Sequence, residues 1–410
     1  MTVESLQSVR GVRVADVYKA GRRAAQLTRA HGGVVFTYLS EYLETGGRAV
    51  ATGLPLTDES LATSSGAVPP FFAGLLPEGR RLSSLRRSIK ASADDDLSLL
   101  LAVGRDPVGD VQIVPEGQLP LLVEPLVTVQ SSFREISFTD ILGKAGVVDP
   151  FALAGVQDKA SARMLSVPIG HADQQYILKI DPPEFPHVVR NEAFFLKLAA
   201  DTGMRTARAE VVYDVSGRPG LLVERFDRSP EPDGTMRRWA VEDGAQVLGL
   251  YPAEKYAVTS EALAAALADR CPARLVALRD VFTQLCFAWL TGNGDVHAKN
   301  LSILAASDGE WRIAPAYDLP STLPYNDYTL ALTMVGKNSG LSRRSLLQFS
   351  AAIGLPVRAA RRALDDVLEA TSSLEQRLLA ADLPFTPQMM NTLIRGLRNR
   401  HKAALESARA

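Results

Sequence analysis

The stretch GNGDVHAKN, residues 292–300, is the most informative part of the chain. Before it, apolar residues recur at helical spacing, and Val281, Leu285 and Trp289 fall on one side of the predicted helix. Glycines at positions 292 and 294 then predict that this helix ends in a loop. The sequence therefore predicts a dense set of polar side chains on a rigid, buried base, which is a common way to hold catalytic groups.

Phosphoryl transfer accounts for the order of the polar residues in and after this loop. The carboxylate of Asp295 could orient an attacking hydroxyl, and the amide of Asn300 could bind Mg²⁺. A second carboxylate would complete the metal site, and Asp318 follows the predicted strand WRIAPA. The order Asp, Asn, Asp is that of protein kinases, although the HRD and DFG signatures are absent. Each residue alone could instead cap a turn, and His297 has no His or Cys partner at zinc-ligand spacing.

A lysine on a predicted strand supplies the second part of a nucleotide site. In YILKI, residues 176–180, the alternation places Lys179 on the opposite face from Leu178. Kinases pair such a strand lysine with the phosphates of ATP, whereas the alternative is an ordinary solvent-facing lysine. Glu192, in the next predicted helix, is a candidate ion-pair partner, although a first-turn Glu also suits the helix dipole.

The secondary-structure pattern predicts an α+β chain with two lobes. Segments with strand alternation dominate up to residue 238, and helical periodicity dominates afterwards. A chain of 410 residues also exceeds one ordinary core. We predict an N-terminal subdomain over 1–118, a nucleotide-binding part over 119–238 and a helical lobe with the catalytic loop over 239–410.

Composition excludes several classes of protein. The formal net charge of −1 gives no global attraction to nucleic acid, and 46% hydrophobic with 22% charged residues is typical of a globular protein. Cys286 lies in an apolar run, so we expect a buried free thiol. The sequence begins without the pattern of a signal peptide. Its apolar runs are shorter than the ~20 residues that a membrane-spanning helix needs. We therefore expect a cytoplasmic location without membrane contact.

These motifs resemble a known family along essentially the whole chain. The ordered landmarks are AGVQDK, YILKID, NEAFF, LLVERFDR, VEDGAQVLGLYPAEKY, GDVHAKN and AYDLPS, and earlier ones are VYKAGRRAAQLTR, FFAGLLPEG and LLLAVGRDPVGDVQIVPEG. They resemble the HipA-like serine/threonine-protein kinase toxins of toxin–antitoxin systems. The resemblance implies a two-lobed protein-kinase-like fold, with an extra N-terminal subdomain on the strand-rich lobe and a helical C-terminal lobe.

The resemblance also implies roles for the catalytic loop. Asp295 matches the catalytic aspartate, and His297 and Lys299 match loop residues nearest the γ-phosphate. Asn300 and Asp318 match the Mg²⁺ ligands.

Three further segments match the ATP site of the family. Lys179 matches the ATP-phosphate lysine, and the backbone from Glu224 to Phe226 matches the hinge that reads adenine. The mobile phosphate loop is matched by Gly155, Val156, Gln157, Asp158 and Lys159. Taken alone, that loop fits neither glycine-rich nucleotide motif, and a plain turn would be the simpler interpretation.

The family resemblance implies ATP and Mg²⁺ as cofactors and a HipB-like helix-turn-helix antitoxin as partner, with operator DNA bound mainly through that antitoxin. It implies a protein substrate, of which an aminoacyl-tRNA synthetase is an example. The chain departs from the family at Ala152, where members commonly carry an autophosphorylated serine. Two alternatives are a kinase-shaped co-repressor that mainly binds the antitoxin and a small-molecule kinase of the aminoglycoside phosphotransferase type; the N-terminal subdomain argues against the latter.

Overall fold

The computed structural model describes residues 8–90, 92, 95–120, 128–129, 132–144, 165–171, 174–381 and 383–406. The predicted phosphate loop, residues 155–159, and Ala152 lie outside the described residues. Within the described ranges the chain is α+β, with strands concentrated before residue 239 and helices after it.

The strands are β1 Val14–Lys19, β2 Arg22–Ala30, β3 Gly33–Tyr38, β4 Leu61–Ala62, β5 Val111–Pro115, β6 Thr128–Val129, β7 Leu165–His171, β8 Gln174–Ile180, β9 Ala209–Tyr213, β10 Pro219–Glu224, β11 Arg228–Pro230, β12 Met236–Arg238, β13 Val241–Asp243, β14 Ser302–Ala305 and β15 Trp311–Ile313. The α-helices are α1 Ser40–Glu44, α2 Pro70–Gly74, α3 Gly79–Ile89, α4 Asp96–Val103, α5 Phe138–Lys144, α6 Val188–Asp201, α7 Gly244–Val247, α8 Ser260–Asp269, α9 Arg274–Thr291, α10 Arg343–Ala352, α11 Val357–Ala370, α12 Leu374–Ala380 and α13 Pro387–Glu406.

The N-terminal subdomain is an antiparallel sheet with a buried helix. Its strand order is β4-β3-β2-β1-β5. Helix α4 buries Leu97 and Leu101 in the core of this subdomain, together with Phe36 and Phe72. The helix begins where the Asp95 carboxylate accepts the N–H of Ser98. The segment FFAGLLPEGRRLSSLRRSI forms two helices, α2 and α3, because a turn with a proline separates them.

The second sheet carries the strand lysine. Its order is β6-β7-β8-β10-β9, and helix α6 packs against β9 and β10. Leu178 and Ile180 point into a small core on one face, which confirms the predicted alternation of β8. Helix α6 starts at Val188, earlier than the motif NEAFF suggested, because the Asp181 carboxylate accepts the N–H groups of His187 and Val189 at 3.0 and 2.7 Å.

The helical lobe is built around α9. The C-terminal part of this helix is buried on every side, and Cys286 is a buried free thiol, as predicted. The helix ends at Gly292, whose φ of +69° is the left-handed conformation of a helix C-terminus. A Cβ atom at that position would lie 2.3 Å from the Leu323 side chain, so glycine also permits close packing of the next loop.

A three-stranded sheet, β13-β14-β15, lies inside this lobe, and β14 follows the predicted catalytic loop directly. The sequence pattern indicated β15 but not β13. Strand β13, Val241–Asp243, is only 3 residues long and buried throughout, so it has no alternation of apolar and polar residues to detect.

A largely buried group of charged residues, which we call the junction cluster, connects the N-terminal subdomain to the end of β10. Its members are Asp106, Arg225, Asp227, Arg228 and Arg238. The carboxylates of Asp106 and Asp227 each lie 2.7–2.9 Å from the guanidinium groups of Arg225 and Arg228. Burial would raise the pKa of Asp227, but the neighbouring arginines outweigh it and hold that pKa well below its usual range.

Candidate active site

The predicted catalytic loop, residues 292–300, is held by a hydrogen bond within it and by one from Thr322. The Asn293 side-chain oxygen accepts the N–H of Asp295 at 3.0 Å, and the Thr322 hydroxyl accepts the N–H of Gly294 at 2.9 Å. A Cβ at Gly294 would lie 2.5 Å from the carbonyl oxygen of Thr329, so only glycine fits there without a shift of the loop. These contacts fix Asp295, which is only 2% exposed, at the end of a rigid turn.

A short 3₁₀ turn, Ala298–Asn300, sets the direction of the next side chains. The N–H of His297 donates to Asn300 Oδ1 at 3.0 Å, and the N–H of Lys299 donates to His297 Nδ1 at 3.2 Å. Since Nδ1 accepts, a neutral His297 ring carries its proton on Nε2. The side chains of Asp295 and Lys299, on either side of His297, therefore have different partners, Tyr256 and Asp243 respectively.

Lys299 reaches the N-terminal subdomain. Its amino group lies 2.9 Å from Asp243 Oδ2, donates to the carbonyl of Gly74 at 3.0 Å and lies 3.5 Å from Glu78 Oε1. Burial would lower the pKa of the Lys299 ammonium, but the Asp243 and Glu78 carboxylates outweigh it and raise that pKa. The catalytic loop is therefore tied directly to the segment between α2 and α3.

Four side chains that are distant in sequence meet between β8, α6 and the catalytic loop, and we call them the nucleotide cluster: Lys179, Glu192, Asn300 and Asp318. The amino group of Lys179 lies 2.7 Å from Glu192 Oε1 and 3.1 Å from Asp318 Oδ1. The Asn300 amide donates to Asp318 Oδ2 at 2.8 Å. The ion pair between the strand lysine and Glu192, which the sequence suggested, is present.

The nucleotide cluster has an excess of negative charge. One ammonium faces two carboxylates, and Glu192 Oε2 is buried without a hydrogen-bond partner. Burial raises the pKa of Glu192, although Lys179 opposes this. Burial would lower the pKa of Lys179, but Asp318 and Glu192 outweigh it and raise that pKa. The Asp318 carboxylate and the Asn300 amide oxygen are hard ligands of the kind that Mg²⁺ prefers, so the residues present fit a divalent cation.

Asp318 has a strained backbone. Its φ of +58° is in the left-handed region, which non-glycine residues rarely adopt and which costs about 1–3 kcal/mol. The Asn293 side chain donates to its carbonyl oxygen at 3.3 Å and supports this conformation. Strain that the surroundings maintain in this way is common at functional sites.

Helix α6 is linked directly to the segment that follows Asp318. The Asn191 side chain donates to the carbonyl of Ser321 at 2.7 Å, and its oxygen accepts the N–H of Ser321 at 3.0 Å. Asn191 precedes Glu192 in the motif NEAFF, so one reciprocal pair of hydrogen bonds sets the position of Glu192 relative to Asp318.

The predicted hinge lies at the end of β10. Glu224 is the last residue of that strand and lies 3.8 Å from Arg208. The ring of Phe226 lies 5.8 Å from that of Tyr317, whose hydroxyl donates to the carbonyl of Lys299 at 2.7 Å. Tyr317 thus connects the predicted hinge to the predicted catalytic loop.

Sequence reasoning missed three residues that contact the catalytic loop. Tyr256 donates its hydroxyl to Asp295 Oδ1 at 3.2 Å, while Asp243 and Glu78 bind Lys299. All three lie inside two motifs that resemble the family, VEDGAQVLGLYPAEKY and FFAGLLPEG. The motifs could therefore have pointed to these residues, but their roles were not apparent from the sequence.

Comparisons with known proteins agree with this architecture. The HipA N-terminal domain model matches residues 15–114, and the HipA-like C-terminal domain model matches residues 151–374. Y4mE of Sinorhizobium fredii is 32% identical over 397 residues, covering 90% of this chain and 92% of that protein. The serine/threonine-protein kinase toxin HipA of Shewanella oneidensis is 28% identical over 332 residues, covering 72% of this chain and 73% of that protein.

A solved structure shows the fold. HipA in the Shewanella oneidensis complex of HipA, HipB and operator DNA superimposes with a TM-score of 0.77 at 22% identity, covering 96% of this chain and 97% of that one. This match confirms the predicted α+β, two-lobed, kinase-like fold. Separately, none of the helices in the described part of the chain combines the length and apolar character that crossing a membrane requires.

Proposed function

This chain belongs to the HipA-like family, and from that premise we propose that it is a serine/threonine-protein kinase that transfers the γ-phosphoryl group of ATP to a hydroxyl group of a protein. The observation that carries the proposal is the nucleotide cluster, in which Lys179 binds both Glu192 and Asp318 beside Asn300. Protein kinases use a strand lysine, a helix glutamate and an aspartate in this combination.

The proposed chemistry assigns separate tasks to the two parts of the site. Asp295 orients the acceptor hydroxyl and accepts its proton, and His297 lies two residues after it in the loop. Lys179 binds phosphate oxygens of ATP, so that its charge offsets theirs. Asn300 and Asp318 would hold Mg²⁺, which neutralises charge on the transferring phosphoryl group when it is bound. Because Asn300 now points its amide nitrogen at Asp318, ligation through its oxygen requires that amide to turn.

The remaining contacts with the nucleotide are also part of the proposal. The backbone from Glu224 to Phe226 reads adenine, and residues 155–159 cover the phosphates. Lys299 has a different environment from Asp295, because Asp243, Glu78 and Gly74 bind its amino group. We therefore assign Lys299 to support of the loop in this state, with a contact to the γ-phosphate only after those bonds rearrange.

The partner assignment rests on the family. We propose a HipB-like helix-turn-helix antitoxin as partner, with operator DNA contacted mainly through it, in a cytoplasmic toxin–antitoxin module. The net charge of −1 supports this division, since a strong DNA-binding surface usually needs excess positive charge. The acceptor is a protein, and an aminoacyl-tRNA synthetase is one candidate. The second function, a co-repressor that mainly binds the antitoxin, is favoured only if phosphoryl transfer is absent.

The test is the transfer of labelled phosphate from ATP to the proteins of a heat-treated bacterial extract. We expect Asp295→Ala to fold and to lose at least about 10²-fold in rate, because positioned proton transfer contributes typically about 10²–10⁴-fold. Asp308→Ala, at an exposed turn of the same lobe, should keep the wild-type rate. An Asp295→Ala variant that labels the extract as fast as the wild type would remove Asp295 from the mechanism.

A further inference from the structure

Two adjacent residues, Lys255 and Tyr256, lie between the N-terminal subdomain and the catalytic loop. The Tyr256 hydroxyl donates to Asp295 Oδ1 at 3.2 Å, and its ring lies edge-on to His297 with 5.1 Å between ring centroids. Tyr256 thus contacts both the proposed catalytic aspartate and His297. The contact joins residues 39 positions apart, so the fold creates it and local sequence does not.

Lys255, the residue before this tyrosine, is held through both its backbone and its side chain. Its carbonyl accepts the N–H of Ala298 at 3.2 Å, which ties the backbone to the catalytic loop. Its amino group forms an ion pair with Glu78, on the segment between α2 and α3, and lies 5.4 Å from the centroid of the Tyr256 ring. Glu78 also lies 3.5 Å from Lys299, so one subdomain carboxylate contacts two lysines beside the active site.

We propose that Lys255 and Tyr256 form a strap that positions Asp295, with the Tyr256 hydroxyl holding one carboxylate oxygen so that the carboxylate keeps one orientation toward the acceptor hydroxyl. The inference rests on the proposed kinase function and deepens it. Tyr256 is a positioning residue, because it acts on the acceptor through Asp295. Through Glu78 the strap also makes the N-terminal subdomain part of the catalytic machinery.

Packing alone does not account for Tyr256. A tyrosine kept for its ring would fill a core, but Tyr256 is 40% exposed. Its polar end, by contrast, is aimed at the buried Asp295. Burial of the phenol and then the charge of Asp295 raise the pKa of Tyr256, so the hydroxyl stays protonated and able to donate at neutral pH. The side chain therefore places one donor on one carboxylate oxygen.

Preorganisation gives the expected size of the effect. A carboxylate that must be held in one orientation loses rate when the donor that holds it is removed. Hydrogen bonds to charged groups correspond to about 10-fold to 100-fold in an equilibrium or rate. Because the hydroxyl donates to Asp295, which acts on the acceptor hydroxyl, the loss should fall on kcat and leave the KM for ATP unchanged.

The experiment compares Tyr256→Phe, which removes only the hydroxyl, with Tyr18→Phe, which removes a hydroxyl that donates to the carbonyl of Gln118 in the N-terminal subdomain. Initial rates of extract labelling are measured over a range of Mg-ATP concentrations, and thermal unfolding is measured alongside. We expect Tyr256→Phe to lower kcat about 10-fold or more with the same KM for ATP and the same unfolding temperature. Tyr18→Phe should keep the wild-type kcat.

A double-mutant cycle separates this inference from the proposed function. If the hydroxyl acts through Asp295, Tyr256→Phe should cost nothing further in an Asp295→Ala background. Should Asp295→Ala abolish labelling while Tyr256→Phe retains wild-type kcat, the strap is overturned and the kinase stands. A wild-type protein that labels nothing, or an Asp295→Ala variant as active as the wild type, overturns both. A loss of equal size on top of Asp295→Ala would mean that Tyr256 acts independently, which also contradicts the strap.

Discussion

The nucleotide cluster and the junction cluster are built from the same kinds of side chains but differ in balance. In the nucleotide cluster one lysine faces two carboxylates, and one oxygen of Glu192 is buried without a hydrogen-bond partner. In the junction cluster three arginines surround two carboxylates, and Asp227 also accepts the N–H of Gly109 at 2.9 Å. The carboxylate oxygens of the junction cluster therefore have enough donors, whereas one carboxylate oxygen of the nucleotide cluster has none.

This difference shows how a buried ionic group can be recognised as a site or as a structural connection. Carboxylates left without enough positive charge are costly in the folded protein unless they bind a cation or take up a proton. Carboxylates saturated by guanidinium groups have no such requirement and hold two parts of the chain together. The backbone agrees, because Asp318 of the nucleotide cluster is strained at a φ of +58°. None of the junction-cluster members has a positive φ.

The largest effect on stability is expected from the junction cluster. Asp227→Ala leaves Arg225 and Arg228 buried without their shared carboxylate, and breaking a buried pair in this way costs about 3–5 kcal/mol. The free energy of unfolding from urea titration is the measurement. Asp365→Ala, which removes an exposed partner of Arg343, should leave the midpoint unchanged. Equal unfolding curves for Asp227→Ala and the wild type would mean that the cluster does not join the subdomains.

Backbone support of the catalytic loop should give an effect of intermediate size. Gly292→Ala places a Cβ 2.3 Å from Leu323 and forces alanine to a φ of +69°, whereas Gly203→Ala, with a φ of +80°, meets no atom within 4 Å. The left-handed conformation alone costs about 1–2 kcal/mol. We therefore expect both variants to lose stability and Gly292→Ala to lose more, as measured by urea unfolding. Equal losses would show that the loop simply moves away from Leu323.

Acid should weaken the junction cluster gradually. Because the folded-state pKa of Asp227 lies below its ordinary value, its contribution to stability is complete above that ordinary value of about 4 and is lost as pH falls toward the folded-state pKa. The stability difference between the wild type and Asp227→Asn should therefore shrink by up to about 1.4 kcal/mol per pH unit below pH 4. Urea titrations from pH 7 to pH 3 measure it, and a difference independent of pH would contradict the assignment.

Local patterns predicted the elements that carry the nucleotide cluster. The alternation of YILKI placed Lys179 on β8, and the apolar periodicity before Gly292 placed the catalytic loop at a helix end. The assigned roles of the site residues and the boundaries at 118 and 238 stay predictions. Family motifs supplied the order of the residues, and the structure supplied the distances between them.

Contacts across the fold could not be predicted in the same way. Neither the spacing of Tyr256 and Asp295 nor that of Glu78 and Lys299 marks them as neighbours, because the folded chain brings them together from separate elements. The junction cluster has the same origin, since Asp106 belongs to a loop of the N-terminal subdomain. From the sequence alone, the charged residues of the junction cluster would be expected at the surface. In the fold they are largely buried, because each has a partner from another segment.

Magnesium-dependent ATP binding, measured by isothermal titration calorimetry with Mg²⁺ and with EDTA, tests most directly that the nucleotide cluster is a kinase site. We expect the wild type to bind ATP more tightly with Mg²⁺ and Asp318→Asn to lose that gain, because one oxygen ligand and one negative charge are removed. The loss should be about 10-fold or more, while the stability of the variant stays near that of the wild type and Asp308→Asn binds like the wild type. An Asp318→Asn variant with wild-type affinity and the same response to Mg²⁺ would contradict the account.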